Sequence, residues 1–149
     1  MDAASAVDAY EHLVIDTAAR PSLDDLRALS LNSDLVVLPT TAETMALRAM
    51  LETATALQVA AGWINFRALV TIVPPRPSRD GEEARASIAS VGVPVFTGTI
   101  RRAVAFAKAS LEGCLVSDVN DPRAAACWAD YVAVGAEILG AEIPGEELA

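Results

Sequence analysis

Cysteine and histidine are scarce in this sequence. Its 149 residues include two cysteines, Cys114 and Cys127, and one histidine, His12. Two cysteines without metal-ligand spacing exclude a disulfide framework, and we expect both to be small buried hydrophobic residues in a reduced compartment. The single histidine has no plausible nucleophile beside it, which argues against a Ser-His-Asp or Cys-His catalytic arrangement.

Long uninterrupted apolar runs are also missing. Glu, Arg or Gly interrupts each apolar stretch well before the roughly 20 residues that a membrane-spanning helix needs. Residues 1–5 carry no basic region leading into an apolar one, so we expect no secretory signal and a cytoplasmic protein. With 53% apolar and 21% charged residues, the composition predicts one globular domain over residues 1–149, with an acidic, frayed tail over residues 141–149.

The charge is unevenly distributed. The net charge of −9 argues by itself against nucleic-acid binding. However, residues 67–108 hold seven of the 11 basic residues and only three acidic ones, so this stretch is +4 while the remainder is −13. Two interpretations stay open at this point, a basic binding surface and scattered, solvated charges.

Strand-like and helix-like patterns alternate along the chain. Short apolar runs predict strands at residues 12–15, 34–38, 68–73 and 93–97. Caps and apolar periodicity predict helices between them and after them, with capping boxes at Ser22/Asp25 and Thr40/Glu43, a further cap at Asp80/Glu83, and ends at Gly62, Gly92, Gly113 and Gly140. A helix is expected over residues 102–111, and Asp121 with Pro122 opens the last one. The pattern predicts an α/β fold with a mostly parallel sheet and flanking helices.

Polar residues follow the predicted strands, where ligands bind in such sheets. Asp16 comes directly after the first apolar run, and a carboxylate at that place suits a hydrated Mg²⁺ bound to phosphates. The pattern alone is weak, because an aspartate after an apolar strand also caps helices or bonds to loops.

Five longer segments sharpen this interpretation. Residues 10–21, Tyr-Glu-His-Leu-Val-Ile-Asp-Thr-Ala-Ala-Arg-Pro, resemble the Walker B and switch segment of ParA-type partition ATPases, of the ParA/MinD group of P-loop proteins. Residues 32–41, 68–73 and 99–109 resemble the later strands and the helix of that family in the same order, and residues 118–138 resemble its closing helix. The resemblance extends over about residues 10–139, and it implies the C-terminal part of a P-loop NTPase (ParA/MinD-like) fold.

The family resemblance implies a function and a set of site residues. ATP and Mg²⁺ would drive formation of a homodimer that binds DNA without sequence preference on the nucleoid, in plasmid or chromosome segregation, with a ParB-type centromere-binding protein as partner and no membrane. Asp16 would hold Mg²⁺ through water, and the switch would comprise Ala18, Ala19, Arg20 and Pro21. The nucleotide-binding residues would be Asp16, Thr17, Pro74, Pro75, Ile100 and Arg102, and the DNA-binding residues Arg76, Arg79, Arg101, Arg102 and Lys108.

The departures from the family are equally informative. The deviant Walker A loop, Lys-Gly-Gly-x-Gly-Lys-Thr, does not occur in the sequence, and Ala18 to Arg20 replace a tighter switch motif. Arg101 stands where the family usually has proline. Because Walker lysines supply the charge that holds a transferring phosphate, we predict that this chain alone hydrolyses no ATP. A second interpretation is a non-catalytic interaction module derived from such an ATPase.

Overall fold

A computed structural model describes residues 10–17, 21–61 and 65–140, as five helices and two strands. The elements in chain order are α1 (Leu23–Asn32), β1 (Val36–Thr40), α2 (Thr44–Ala61), β2 (Phe66–Val70), α3 (Asp80–Ser90), α4 (Val104–Glu112) and α5 (Ala124–Leu139). The α/β class expected from the sequence is therefore observed. None of the described helices has both the length and the apolar character needed to cross a membrane.

The sheet is parallel. β1 and β2 pair in register from Val36 opposite Phe66 to Thr40 opposite Val70. Residues 94–102, the third segment, run along the other side of β2, where Ala68 N–H donates to Pro94 O (2.8 Å) and Phe96 N–H to Ala68 O (2.9 Å). This segment, predicted as a strand at residues 93–97, makes only isolated bridges, at Val95 and Arg101. Pro94 has no N–H to contribute to a continuous ladder.

The first predicted strand is wrong in this structure. Residues 12–15 form no strand, and Leu13, Val14 and Ile15 are 59%, 93% and 58% exposed. An extended segment becomes a strand only when a neighbour supplies hydrogen bonds, and no other described residue pairs with this one. The pattern identified an apolar segment correctly, but in the described part of the chain this segment does not join the sheet.

The other two predicted strands are confirmed with shifted boundaries. The run at residues 34–38 becomes β1, two residues later, and the run at residues 68–73 becomes β2, which begins two residues earlier and ends three residues earlier. β2 ends early because Ile72 adopts a left-handed conformation with φ 54°, which turns the chain before Val73 bridges to Arg101. The loop with three prolines that follows is non-helical up to Arg79, because proline has no N–H to donate within a helix.

Two helix starts illustrate how local caps succeed and fail. The Ser22/Asp25 capping box is confirmed, with Asp25 N–H donating to Ser22 Oγ (3.1 Å) and Ser22 N–H to Asp25 Oδ2 (3.0 Å). The Thr40/Glu43 box is wrong, because Thr40 belongs to β1 and its hydroxyl donates to Thr41 O (3.1 Å). The predicted end of α2 at Gly62 lies outside the described residues.

The starts of the later helices differ slightly from those predicted: α3 begins one residue early, and α4 and α5 begin two residues late. Arg79, not Asp80, precedes α3, and it makes no side-chain cap. Arg102 stays outside α4 because its N–H donates to Val73 O (2.8 Å) in the sheet. The helix expected at Asp121 and Pro122 starts at Ala124, after a turn in which Ala124 N–H donates to Asp121 O (3.0 Å).

The ends of the last two helices are confirmed. Gly113 and Gly140 both have φ 65°, a left-handed conformation that favours glycine after a helix. The predicted tail beyond Gly140 lies outside the described residues.

Three groups of buried side chains make up the core. The largest joins β1 and β2 to α2 and α3, around the fully buried Leu57 and Val70. A second lies between α4 and α5 and contains Cys127, which is buried as expected, with Cys114 half-buried against it. A third links β2 to the third segment and α5 through Phe96, Ile100 and Val134. The carboxyl end of the sheet is therefore built on packed elements.

Candidate functional site

One pocket opens at the carboxyl end of the sheet, where polar residues were expected. It has a volume of about 420 Å³ and is enclosed by the loop after β2, the third segment and the start of α5. We call it the arginine pocket; its lining residues are Val73, Pro74, Pro75, Arg76, Thr99, Arg101, Arg102, Arg123 and Asp130. Four of these nine residues carry a guanidinium group.

Backbone hydrogen bonds shape the arginine pocket. Ile100 N–H donates to Val70 O (3.1 Å), Val73 N–H to Ile100 O (3.0 Å) and Arg102 N–H to Val73 O (2.8 Å). The third segment and the β2 loop are thereby held side by side. Ile100, predicted to bind nucleotide, is 6% exposed and packs in the core beneath this ladder. It supports the pocket and does not line it.

Arg101 is held by a two-pronged ion pair with Asp130 on α5. Its Nε donates to Asp130 Oδ2 and its Nη2 to Asp130 Oδ1, both at 2.7 Å, and its backbone N–H also donates to Oδ2 (3.0 Å). The hydrogen bonds to Asp130 raise the pKa of Arg101. Such a planar fork orients the guanidinium strongly, so the position of this side chain is set by α5.

A second carboxylate on α5 holds the loop just before Arg101. Glu137 Oε2 accepts the N–H of Thr97 (2.8 Å), and its Oε1 accepts the N–H of Gly98. Glu137 also lies 3.9 Å from Arg67, whose guanidinium carbon is 4.9 Å from the centre of the Phe96 ring. The two N–H groups need a nearby acceptor, and α5 supplies it.

Asp130 and Glu137 were not identified from the sequence, although a signal existed. They are the only charged residues of α5. They are seven positions apart, two helical turns, with buried Val134 between them and buried Cys127 just before, so they share the helix face that packs inward. Lone acidic residues on the buried face of an otherwise uncharged helix indicate specific hydrogen-bond partners. Arg123 was missed because it lies far in sequence from the other arginines.

The Walker B-like residues lie in a different pocket. This one, the Asp16 pocket, has a volume of about 480 Å³ between residues 15–17 and α1. Its lining residues are Ile15, Asp16, Thr17, Pro21, Asp25, Ala28, Leu29, Asn32 and Ser33. Hydrogen bonds from the side chain and backbone of Ser22 lower the pKa of Asp25. Asp25 therefore adds a second negative charge beside Asp16.

The residues that line the Asp16 pocket suit the Mg²⁺ of the implied Mg-ATP better than they suit its triphosphate. Carboxylate, hydroxyl and amide oxygens from Asp16, Thr17 and Asn32 suit a hydrated Mg²⁺. In the described part of the chain, no three His, Cys, Asp or Glu side chains cluster as direct metal ligands. None of the described lining residues is basic, so this pocket supplies no counter-charge for a triphosphate.

The predicted site residues are therefore divided among several places. Asp16, Thr17 and Pro21 line the Asp16 pocket, whereas Pro74, Pro75 and Arg102 line the arginine pocket, and the two share no lining residue. Among the predicted DNA-binding residues, Arg76, Arg101 and Arg102 line the arginine pocket, but Arg79 pairs with Glu82 (3.3 Å) and Lys108 with Asp121 (2.8 Å). Ala18, Ala19 and Arg20 lie outside the described residues.

Comparison with known proteins finds a relative in Gloeobacter kilaueensis, Maintenance of carboxysome distribution protein A. The two are 32% identical over 134 residues, which is 89% of this chain and 61% of the relative. That relative is a ParA/MinD-type ATPase. The similarity supports a ParA-like relationship. The chain spans less than two thirds of the relative's length, and no family model matches it.

The matched part does not include a phosphate-binding loop. The only lysine, Lys108, lies between Ala107 and Ala109, so the Gly-Lys-Ser/Thr sequence that ends such a loop does not occur in these 149 residues. Because the backbone amides and lysine of that loop bind the nucleotide phosphates, ATP binding does not follow from the similarity alone.

Proposed function

We propose that this chain is part of a ParA-like positioning ATPase and carries the Walker B and switch portion of its nucleotide site. The 32% identity over 134 residues is the observation that supports this most strongly. Asp16 and Thr17 line one pocket with Pro21, as residues of a Mg²⁺-binding and switch segment should. ATP with Mg²⁺ is then the cofactor, and a segment with a phosphate loop must complete the site.

The site that we propose divides its tasks between the two pockets. Asp16 holds a hydrated Mg²⁺, and Thr17 to Pro21 respond to the terminal phosphate. Pro74 and Pro75 contact the base end of the nucleotide, above the support that Ile100 provides, and Arg102 beside them is left to bind phosphate. When bound, Mg²⁺ neutralises phosphate charge. The residues of this chain orient the nucleotide but lack the lysine clamp, and for this reason we expect the chain alone to be inactive.

The wider role that we propose is ATP-dependent dimerisation and non-specific DNA binding, in the segregation or positioning of a large cargo. The name of the relative refers to carboxysome distribution, and a related cargo, a plasmid or a chromosome would suit the same mechanism. Arg76 and Arg102 line one pocket with Arg101, which is paired with Asp130, and the two exposed guanidinium groups of Arg76 and Arg102 support binding to phosphates. A ParB-type protein is the partner that we propose, and DNA binding places the protein on the nucleoid.

Calorimetry with Mg-ATP tests this proposal. The 149-residue chain is compared with a chimera in which a ParA-family segment carrying the phosphate loop precedes Met1. We expect binding in the chimera and none in the chain alone, with no turnover above background in the latter. Asp16→Asn in the chimera should weaken binding only when Mg²⁺ is present. The matched control is Asp24→Asn, an exposed aspartate of α1 that does not line the Asp16 pocket.

A second candidate function is a non-catalytic interaction module, and exposed apolar residues favour it. Trp128, Tyr131 and Val132 on α5 are 41%, 49% and 48% exposed and follow helical spacing. Exposed apolar surface of this kind is typical of protein interfaces. If neither the chain nor the chimera binds Mg-ATP, the ATPase proposal fails and the module becomes the better description.

A further inference from the structure

The arginine pocket concentrates positive charge in an acidic protein. Four guanidinium groups and one carboxylate line a single concave surface, although the chain as a whole has a net charge of −9. Like charges in one pocket repel each other, and neighbouring acids normally offset them. An arrangement that keeps an excess of guanidinium groups is stabilised when an anion binds among them.

Arg101 and Arg102 are adjacent in sequence but differ in their partners. Arg101 directs its Nε and Nη2 to Asp130, so this carboxylate balances its charge although the Arg101 side chain is 45% exposed. Arg102 forms no ion pair with any carboxylate among the described residues, and it is exposed. Successive residues in an extended chain point to opposite sides, which accounts for their different surroundings.

The other two arginines of the pocket are also available to a ligand. Arg123 is exposed and, within residues 10–17, 21–61 and 65–140, has no carboxylate at ion-pair distance. Arg76 lies 3.9 Å from Glu82, but its side chain is 93% exposed, and such exposed pairs contribute little. Three of the four guanidinium groups therefore have no firm carboxylate partner, whereas Asp130 occupies the Nε–H and one Nη2–H of Arg101.

We propose that Arg76, Arg102 and Arg123 form a phosphate-binding site. Arg101, which Asp130 holds in place, forms part of the pocket wall and does not bind the phosphate. Guanidinium groups bind phosphate oxygens through paired N–H donors, which makes a phosphate group the fitting ligand class. The phosphate comes from a nucleic-acid backbone or from a free nucleotide; this choice of sources rests on the proposed function, but the anion site itself does not.

Inorganic phosphate is the first probe, added to the 149-residue chain while the side-chain Nε–H signals of its arginines are followed by NMR. We expect the signals of Arg102 and Arg123 to shift in a saturable way and the signal of Arg101 to stay in place, because its Nε–H is donated to Asp130. Shifts of Arg101 with Arg102 and Arg123 unmoved would overturn the assignment of roles.

Arg123→Gln tests the site with larger ligands, and Arg48→Gln is the matched control. Arg48 is exposed on α2, pairs with Glu52 and does not line the pocket, so both variants lose the same charge. Fluorescence anisotropy with a short duplex DNA and with a labelled ATP, both without Mg²⁺, distinguishes the two phosphate sources. For the true source, we expect Arg123→Gln to weaken binding about fivefold and, for DNA, to lower the salt slope by about 1.

The outcomes separate this inference from the proposed function. A loss with DNA alone identifies a nucleic-acid phosphate, and a loss with ATP alone identifies a nucleotide phosphate; both support the site. Equal binding by Arg123→Gln and Arg48→Gln for both ligands overturns it. Failure of the chimera to bind Mg-ATP would reject the ATPase proposal without affecting these results, which use the chain by itself and no Mg²⁺.

Asp130→Asn tests the wall residue. Once released from its carboxylate, Arg101 becomes available to phosphate, so we expect tighter binding of the ligand that responds to Arg123→Gln and, for DNA, a salt slope that increases by about 1. Asp118→Asn, at an exposed aspartate outside the pocket, controls for the change in net charge. Weaker binding by a folded Asp130→Asn protein would show that Asp130 presents Arg101 to the ligand, and would overturn its role in the wall.

Discussion

Two regions of this molecule carry the residues expected to bind nucleotide, and they are held very differently. The third segment, residues 94–102, is bonded to β2 and anchored to α5 through Asp130 and Glu137. The Walker B-like segment, residues 10–17, is exposed throughout beside α1. The stronger family motif thus lies in the less supported region. A motif specifies chemistry, whereas hydrogen-bond partners and packing decide how firmly it is held.

The largest difference in stability between the two regions is expected when one buried and one exposed apolar side chain are truncated. Phe96 in the third segment is fully buried, so Phe96→Ala should lower the free energy of unfolding by about 4 kcal/mol. Val14 is 93% exposed, so Val14→Ala should change it by less than about 0.5 kcal/mol. Urea denaturation measures both. A loss above about 1 kcal/mol for Val14→Ala would mean that the segment is buried, as the sequence pattern predicts.

A smaller effect is expected when the α5 anchor is weakened. Glu137→Gln keeps the size of the side chain but leaves one of the Thr97 and Gly98 N–H groups facing an amide nitrogen. We expect a loss of about 2 kcal/mol in unfolding free energy, typical of a hydrogen bond to a charged group. Glu52→Gln, at an exposed glutamate on α2, should cost less than about 0.5 kcal/mol. Equal costs would show that the anchor contributes nothing specific.

Two glycine-to-alanine substitutions, in the third segment and in α5, should change the stability of the protein in opposite directions. A Cβ at Gly98 would lie 3.0 Å from Val134 Cγ2 and 3.1 Å from Glu137 Oε1, so Gly98→Ala should destabilise the protein by about 1 kcal/mol. A Cβ at Gly135, inside α5, would meet nothing within 4 Å. Gly135→Ala should therefore stabilise the helix by about 0.5 kcal/mol. Thermal melts of both variants give the sign, and two changes of the same sign would contradict the close packing at Gly98.

The smallest effects concern acid titration, where the two regions should behave alike. Hydrogen bonds from Ser22 lower the pKa of Asp25 beside the Asp16 pocket, and the hydrogen bond from Lys108 lowers the pKa of Asp121 before α5. A carboxylate with a lowered folded-state pKa stabilises the fold above its unfolded value, 3.8, and this contribution is lost as the pH falls through the folded value.

Urea midpoints at pH 7 and pH 3 measure this loss. Asp25→Asn and Asp121→Asn should each reduce the difference between the two midpoints, because an asparagine does not titrate. Asp24→Asn, at a position that caps nothing in the described structure, serves as the reference. An undiminished difference in Asp25→Asn would indicate that the capping box does not persist in solution.

Much of the local structure is predictable from short stretches of sequence. The Ser22/Asp25 box starts α1, and the glycines at 113 and 140 end α4 and α5, because a cap or a left-handed glycine depends on a few neighbouring residues. Polar residues after parallel strands also lie at a pocket, as expected. The shifted limits of β1 and β2 arise where the pairing of strands, not the local pattern, sets them.

The candidate site was only partly predictable. Pro74, Pro75 and Arg102 were expected near one another through family resemblance, and the structure places them around one pocket. The packing of α5 against the third segment determines two features that the sequence did not predict. It pairs Arg101 with Asp130, and it places Arg123 in the lining of the arginine pocket. Arg101 lies 22 positions before Arg123 and 29 positions before Asp130, and no periodicity within either segment predicts that these residues line one pocket.

The sequence by itself determined the α/β class, the Ser22/Asp25 capping box, the helix ends at Gly113 and Gly140 and the concentration of basic residues between 67 and 108, since composition and short-range hydrogen bonding suffice for these. Only the tertiary structure decided which apolar runs became strands and which arginines kept their charge available. A strand needs a neighbour with unpaired N–H and C=O groups, and an arginine becomes less available when a carboxylate or carbonyl oxygen accepts its N–H groups. Both conditions depend on elements distant in the chain, and the fold alone brings those elements together.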